Sequence, residues 1–270
     1  MRRAGRDAQG KGRYGEVCGA AYFRLYLWHY QRHSTFLPEL LFRWKASLLM
    51  APNAKPIVLT YTMLNTYEIC PHQCFRRYIK KDLPFKETPE MRWGNEVHTA
   101  FEYRVGGKAQ LPVNMNQWEP FAAALDGLNC RTEVKMGITK EGRPTGFFDA
   151  DVWFRGKADV VSIAGTVAFL PDWKTGKRRE EPFELATNAM LLHAGNPYLT
   201  KITGAYVWLK ENSMGLMHDV SDTNSTWAKV NNTAEEMRDC MRSGEWKKKR
   251  SGLCGWCNVF DCANNTNQNR

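Results

Sequence analysis

The chain has 270 residues, of which 43% are hydrophobic, 24% are charged and 12% are aromatic. These proportions exclude a disordered polyelectrolyte, a collagen-like repeat and a membrane-embedded protein, and the length is sufficient to bury a hydrophobic core. The 38 Lys and Arg outnumber the 28 Asp and Glu by ten, and a basic excess of this size suggests a polyanionic partner such as nucleic acid.

The first 49 residues form a basic leader. They hold nine Lys and Arg and three acidic residues, which gives +6 of the total charge of +10. The leader lacks the compact apolar core and small-residue cleavage site of a secretory signal, while its arginine content also suits an organellar transit peptide. Recognisable patterning begins only near Ile57, so we hypothesise that Met50 is the native start and that residues 1–49 arise from upstream translation.

Helices are predicted throughout residues 50–130. Apolar residues recur at helical spacing over 62–81, and Pro71 interrupts this helix or marks a boundary near Cys70. A second helix is predicted over 88–103, where Thr88 is suited to the N-cap and a proline follows it. A third, shorter helix is predicted over 117–128.

From residue 131 onward, β-branched and aromatic residues alternate with polar ones, a pattern typical of strands. A helix, another strand and a further helix follow, and the order of elements indicates an α/β core. Successive antiparallel strands are predicted at 147–154, 156–163 and 166–171, then a helix at 182–193, a strand at 202–209 and a helix at 233–241.

Two aspartates and a lysine lie on the second and third of these strands. If the strands turn symmetrically about residues 164–165, Asp172 lies opposite Lys157 and is a diagonal neighbour of Asp159. The two-residue period of a strand also brings Lys174 to that face. Because the flanking residues are apolar, the carboxylates are expected to be buried, which is costly unless a cation compensates. A divalent metal ion would do so, and an internal Asp–Lys ion pair without metal is the alternative.

Three cysteines near the end of the chain have metal-ligand spacing. Cys254 and Cys257 are separated by two residues, and Cys262 follows five positions later. Four thiolates suit either zinc or an iron–sulfur cluster, and free thiols in a loop are the simpler alternative. The candidates for the fourth ligand are Cys70, Cys74 and Cys240.

The hairpin resembles the active site of the PD-(D/E)XK nuclease superfamily. Gly156-x-x-Asp159, followed by Asp172-x-Lys174-Thr-Gly, is most similar to the RecB-like exonuclease branch, which includes phage and CRISPR-associated members. Gly94-Asn-Glu-Val-His98 matches the upstream metal-binding histidine of that branch. Cys70-Pro71 matches its N-terminal motif, and the three C-terminal cysteines match members in which four cysteines bind a [4Fe–4S] cluster.

The resemblance implies a fold and a division of the chain. The fold is a restriction-endonuclease-like α/β core, with a mixed central sheet flanked by helices. Residues 50–130 are the expected helical N-terminal part, residues 131–245 the nuclease core, residues 246–262 a cysteine-rich clamp, and residues 263–270 a mobile polar tail.

The resemblance also implies a metal-dependent DNA nuclease, expected to be an exonuclease on DNA ends or single-stranded DNA. Asp159, Asp172, His98 and the backbone carbonyl of Trp173 would hold Mg²⁺ or Mn²⁺. Lys174 would orient the nucleophile and stabilise the transition state. The cluster ligands would be Cys70, Cys254, Cys257 and Cys262, with zinc as the alternative to iron and sulfide.

Two basic groups are candidate DNA contacts, although such runs are commonly just solvated. The expected partners are DNA and a helicase, recombination or CRISPR protein. No association with a membrane is expected. The expected compartment is the cytoplasm of a bacterium or of a phage-infected host. The candidate DNA-contacting residues are Lys177, Arg178, Lys247, Lys248, Lys249 and Arg250.

The sequence departs from the branch at two points. The branch often carries Gln-x-x-x-Tyr on the helix after the hairpin, whereas this chain has Glu184 and Asn188 there. The last cysteine gap is also one residue shorter than in many cluster-bearing members. Three alternatives follow: a non-catalytic nucleic-acid-binding protein of the same fold, a zinc-binding adaptor, and a CRISPR spacer-processing nuclease with the same chemistry.

Overall fold

The computed structural model describes residues 57–83 and 87–266, so the predicted leader at 1–49 lies outside the described residues. Within them, a mixed seven-stranded sheet is flanked by helices, which confirms the predicted fold class. None of the helices in these two ranges is both long and apolar enough to cross a membrane. The strands are β1 (Cys130–Ile138), β2 (Pro144–Thr145), β3 (Phe154–Ala164), β4 (Val167–Lys174), β5 (Lys201–Trp208), β6 (Ser213–Met214) and β7 (His218–Asp219).

The sheet runs in the order β2-β1-β3-β4-β5-β6, and β7 also pairs with β5. All neighbouring strands are antiparallel except β4 and β5, which are parallel over eight residue pairs. A parallel pair needs a crossover connection, and in this sheet a helix supplies it. The helices are α1 (Tyr61–Ile69), α2 (Pro71–Cys74), α3 (Pro89–Val105), α4 (Glu119–Ala123), α5 (Phe183–Gly195) and α6 (Thr223–Ser243).

Helix boundaries follow the capping signals in the sequence. The Thr88 hydroxyl accepts a hydrogen bond from the amide of Met91, so α3 begins where its cap predicts. The helix predicted over 62–81 is divided at the boundary that Pro71 predicts, because Cys70 is extended at φ −158° before the proline that starts α2. A π-helical turn over Phe75–Ile79 then completes this segment.

Helices cover both faces of the sheet. On one face, Leu185 and Leu192 of α5 pack with Val161 of β3. On the other face, Phe101 of α3 packs against Trp173 of β4, with ring centroids 4.3 Å apart. Helix α3 is therefore fixed directly over the strand that carries Asp172 and Lys174.

Three predictions about the strands are wrong. Residues 147–153 form a loop after β2, and the extended segment lies earlier, in β1. The hairpin pairs Ala164 with Val167 and Ile163 with Ala168, so its two-residue turn is Gly165-Thr166, where Gly165 has φ +58°. The register of the three pairs next to the turn differs from the predicted one by two residues. Beyond them Asp159 projects towards His98 of α3, whereas Lys174 projects towards Glu184 of α5, so the two aspartates and Lys174 do not share one face as predicted. Lys157 pairs with Lys135 of β1 and not with Asp172.

Candidate functional site

The two hairpin aspartates lie where β3 and β4 separate, and the ligand atoms within 4.8 Å of one another belong to His98, Glu133 and Asp159 but not to Asp172. Backbone pairing between these strands covers only the three residue pairs next to the turn. Beyond it, the backbone amide of Trp173 donates a hydrogen bond of 2.9 Å to Oδ2 of Asp159. Asp159 and Asp172 are 8% and 6% exposed, so both carboxylates are taken out of water as the apolar flanking residues predict.

His98 reaches the same place from α3. Its Nδ1 lies 3.1 Å from Oδ1 of Asp159. Val97 and Phe101, which flank His98 on the helix, are fully buried and fix its position over the sheet. Burial disfavours the charged imidazolium, but the hydrogen bond to Asp159 and its negative charge outweigh burial and raise the pKa of His98.

Lys174 lies between two carboxylates. Its Nζ is 2.7 Å from Oδ1 of Asp172 and 2.7 Å from Oε2 of Glu184, and it lies 5.2 Å from the centre of the Tyr206 ring. Burial acts to lower the pKa of Lys174, but the charges of Asp172 and Glu184 outweigh it and raise the pKa. Burial, followed by the charge of Asp159, raises the pKa of Asp172 to about 8.

The residues present fit a divalent cation. Oδ1 of Asp172 is buried and, within the described ranges, has no hydrogen-bond partner, because the nearby Lys174 ammonium forms an ion pair without hydrogen-bond geometry. Carboxylates outnumber cationic groups in this cluster, and an uncompensated buried charge is costly. Carboxylate oxygens and an imidazole nitrogen are ligands that Mg²⁺ and Mn²⁺ accept.

Glu133 is a candidate metal ligand that the sequence pattern did not reveal. Ligand atoms of His98, Glu133 and Asp159 all lie within 4.8 Å of one another. Glu133 has φ +53°, a left-handed conformation that is costly for a non-glycine residue, and it forms an ion pair with Lys157. The register of β1 against β3 brings Glu133 opposite Asp159. The available signal is an acidic residue within an alternating segment, but the pattern does not predict β1 as a separate strand.

The four predicted cluster cysteines line one pocket. Cys70 enters it just before α2, and Cys254, Cys257 and Cys262 enter it from the C-terminal segment. Burial, followed by the charges of neighbouring thiol groups, raises the pKa of Cys257 above its ordinary value.

The other two candidates for the fourth ligand lie elsewhere. Cys74 is fully buried in the hydrophobic core, and burial raises the pKa of its thiol to about 12. Sγ of Cys240 lies 3.5 Å from the hydroxyl of Tyr67, away from this pocket.

The predicted DNA-contacting residues are all exposed and lie in two places. Lys177 lines a cleft of about 810 Å³ next to the end of β4, and Lys210 lines the same cleft. Arg178 is engaged in ion pairs with Glu180 and Glu211. The other four precede the pocket cysteines of the C-terminal segment in the chain. They are Lys247, Lys248, Lys249 and Arg250. The amide of His72 donates a hydrogen bond to the carbonyl of Lys247, and the ammonium of Lys249 donates one to the carbonyl of Glu68.

Comparison with known proteins gives a family match. The family model described as the PD-(D/E)XK nuclease superfamily matches residues 58–262, which include the hairpin, His98 and all four pocket cysteines. No match was found among curated proteins.

Solved structures also match the chain. One is the crystal structure of SSO0001, which is 13% identical with a TM-score of 0.47; the match covers 84% of this chain and 96% of that one. Another is a protein from Eubacterium rectale named "Putative exonuclease", which is 13% identical with a TM-score of 0.49; the match covers 74% and 87% of the two chains.

Proposed function

Because the chain belongs to the PD-(D/E)XK nuclease superfamily, we propose that it is a Mg²⁺- or Mn²⁺-dependent deoxyribonuclease of the RecB-like branch. We propose further that it is an exonuclease acting on DNA ends or single-stranded DNA. The order of its motifs, from Cys70-Pro71 through the histidine of α3 to the hairpin and the last cysteines, supports this branch.

One observation carries the nuclease proposal. Asp159 and Asp172 are both buried at the opening between β3 and β4, and the Lys174 ammonium lies 2.7 Å from the Asp172 carboxylate. An anionic pocket that also holds a lysine suits binding of a metal ion beside a scissile phosphate. The expected metal ligands are His98, Asp159, Asp172 and the backbone carbonyl of Trp173, and Glu133 joins them as a further candidate.

Each side chain has a distinct task in the proposed reaction. A bound divalent cation supplies an activated water and neutralises charge on the phosphate. The Asp159 carboxylate accepts a hydrogen bond of 2.9 Å from the backbone amide of Trp173. This bond fixes one oxygen of Asp159 and holds the backbone directly after Asp172. Lys174 remains protonated and stabilises the negative charge that develops on the phosphoryl oxygens. Glu184 holds the ammonium in place at 2.7 Å.

We propose that Cys70, Cys254, Cys257 and Cys262 bind a [4Fe–4S] cluster. Within the described part of the chain, no three cysteine sulfurs lie within 4.8 Å of one another. A tetrahedral zinc ion needs sulfurs about 3.8 Å apart, given a Zn–S bond of about 2.3 Å. A [4Fe–4S] cluster binds its thiolates through different irons and so does not require them to meet at one metal ion. The cluster would join the first helices to the C-terminal segment.

The proposed partner is DNA in the cytoplasm of a bacterium or of a phage-infected cell, with a helicase, recombination or CRISPR protein as a further partner. The cleft of about 810 Å³ at the end of β4 supports DNA binding, since it carries Lys177 and Lys210 next to the site.

Digestion of end-labelled DNA by anaerobically purified protein tests the function. Wild-type protein should degrade linear DNA with Mg²⁺ or Mn²⁺ and leave covalently closed circles intact. Lys174→Ala should lower the rate at least 100-fold. Its matched control is Lys201→Ala, which removes an exposed lysine paired with Asp219 at the far end of β5. Cleavage of closed circles would contradict the exonuclease assignment, and activity in Lys174→Ala would contradict the active site.

Absorption and metal analysis of the same sample distinguish the alternatives. Visible absorption with about four irons and four sulfides per chain is expected for the cluster. Zinc without sulfide and without DNA digestion would identify an adaptor. DNA binding without digestion in any divalent metal would identify a non-catalytic binding protein.

A further inference from the structure

A pair of phenylalanines, of which Phe147 is half-buried and Phe148 is exposed, lies in the loop after β2. Phe148 is 76% exposed, and its ring packs edge-to-face on that of Phe147, with centroids 4.9 Å apart. Asp149 accepts hydrogen bonds from the hydroxyl of Thr145 and the amide of Gly146, which hold the loop closed. A large apolar side chain this exposed on an ordered loop often marks a binding surface.

Basic side chains surround the two rings. The guanidinium carbon of Arg155 lies 4.6 Å from the ring centre of Phe147 and 5.8 Å from that of Phe148. Nζ of Lys135 lies 5.6 Å from the ring centre of Phe148. Among the described residues, neither Lys135 nor Arg155 forms an ion pair with a carboxylate, so both charges are available to an anion.

This aromatic and basic surface, formed by Lys135, Phe147, Phe148 and Arg155, lies on the same face of the sheet as Asp159 of the active site. Gly156 of β3 faces α5, since a Cβ there would contact Leu191 of that helix. Its neighbours Arg155 and Lys157 therefore project to the opposite face, as does Asp159 towards His98 on α3. Four residues along a strand separate Arg155 from Asp159, or about 13 Å.

We propose that this surface binds single-stranded DNA on its way to the active site. The rings of Phe147 and Phe148 would stack on unpaired bases, and Lys135 and Arg155 would contact the adjacent phosphates. Aromatic rings interleaved with cationic groups are the usual means of holding a single strand without regard to sequence. A duplex buries its base faces within the stack and cannot offer them to an exposed ring. The inference rests on the proposed nuclease and names single strands as its substrate.

The surface carries acidic groups as well. Glu133 forms an ion pair with Lys157 on the same face, and Asp149 and Asp151 accept hydrogen bonds from Thr145 within the loop. Each of these carboxylates lies at the edge of the surface and already binds a partner within the protein. Lys135 and Arg155 therefore remain the cationic groups next to the phenylalanine rings.

Binding measurements in the Lys174→Ala background test the proposal without cleavage. Labelled oligo(dT) of 20 nucleotides, an abasic oligonucleotide of the same length and a blunt duplex of 20 base pairs are titrated with protein and Mg²⁺. Phe148→Ala should weaken binding of oligo(dT) about tenfold and leave binding of the abasic strand and the duplex within twofold. Phe148→Trp should bind oligo(dT) as the parent does. Tyr198→Ala, which removes an aromatic ring 55% exposed before β5, is the matched control and should change nothing.

Three results would overturn the inference: unchanged oligo(dT) binding in Phe148→Ala, an equal loss on the abasic strand, or failure of the parent to bind oligo(dT). The proposed function fails by itself if the wild-type protein does not digest DNA, although Phe148→Ala still weakens binding of oligo(dT) and not of the abasic strand. Digestion together with unchanged binding in Phe148→Ala would refute only the single-strand surface.

Discussion

Lys174 donates a hydrogen bond of 2.7 Å to Glu184, which joins the last residue of β4 to the first turn of α5. The second partner of the ammonium is Asp172, also at 2.7 Å. Glu184 would therefore keep a fixed partner for the lysine if Asp172 binds the proposed metal ion. The related branch often carries glutamine at this position, and the glutamate adds a negative charge while keeping the hydrogen bond.

Replacing Glu184 should affect turnover more than substrate binding. Glu184→Ala removes the hydrogen bond between Glu184 and the Lys174 ammonium and should lower kcat about tenfold or more, because hydrogen bonds to charged groups are worth about 1.5–3 kcal/mol. Glu184→Gln retains the hydrogen bond and should stay within about fivefold of wild type. Steady-state digestion assays separate kcat from KM. Glu181→Ala, in the exposed stretch just before α5, is the control, and equal losses in the alanine and glutamine variants would contradict a positioning role.

Asp172 makes the metal-free protein sensitive to pH. Its pKa is raised from 3.8 to about 8, so the folded state binds this proton more tightly than the unfolded state. Stability is therefore lost as pH rises from about 4 to about 8. Asp172→Asn removes this loss and should raise the free energy of unfolding at pH 8.5 by about 1–3 kcal/mol, with little change at pH 4. Urea unfolding in EDTA measures both values.

Added metal ion should make the wild-type protein more stable than Asp172→Asn at pH 8.5. The proposed Mg²⁺ ion would bind only the folded protein and should stabilise the wild type, whereas Asp172→Asn would lack a proposed ligand and should gain little. If Asp172→Asn is less stable than wild type at pH 8.5 in EDTA, the ion pair with Lys174 outweighs the burial of the carboxylate, and the raised pKa of Asp172 is wrong.

Mn²⁺ affinity should depend on His98 and Glu133. His98→Ala and Glu133→Gln are each expected to weaken binding at least tenfold by calorimetry, since both ligand atoms lie within 4.8 Å of each other and of Asp159. A metal displaces the proton of the imidazole, and the pKa of His98 is raised, so affinity should increase with pH through neutrality. Glu96→Gln alters an exposed residue of α3 and serves as the control. Wild-type affinity in Glu133→Gln would exclude Glu133 from the site.

Loss of one pocket cysteine should destabilise the whole fold. Cys254→Ser removes a proposed cluster ligand and should lower Tm and abolish visible absorption in anaerobic samples. Cys130→Ser changes a partly buried cysteine outside the pocket and should retain the absorption. An unchanged melting curve in Cys254→Ser would refute the clamp.

The helix boundaries set by local interactions could be predicted from the sequence. Thr88 caps α3 and Pro71 ends the first helical segment, as their side chains dictate. The period of β4 was also predictable, because Lys174 binds Asp172 on one face of the strand while Trp173 between them packs against α3 on the other. The turn itself depends on Gly165 adopting φ +58°, and nothing in the pattern distinguished it from the neighbouring position.

Features that depend on distant contacts were not predictable. Glu133 lies near the site only because β1 pairs with β3, and the alternation within β1 is too weak to predict that pairing. Phe147 and Phe148 have the composition of a strand, yet they belong to a loop held by Asp149. Tertiary context decides between these outcomes.

The two halves of the cysteine pocket are far apart in the order of synthesis. Cys70 leaves the ribosome long before Cys254, and the ion pair between Arg76 and Asp261 joins the same two regions at 2.7 Å. A nascent chain can therefore fold its sheet while the pocket is still incomplete. Insertion of the proposed cluster would then be the last step of biogenesis, and an iron-starved cell would accumulate a protein in which the cluster does not join Cys70 to the C-terminal segment.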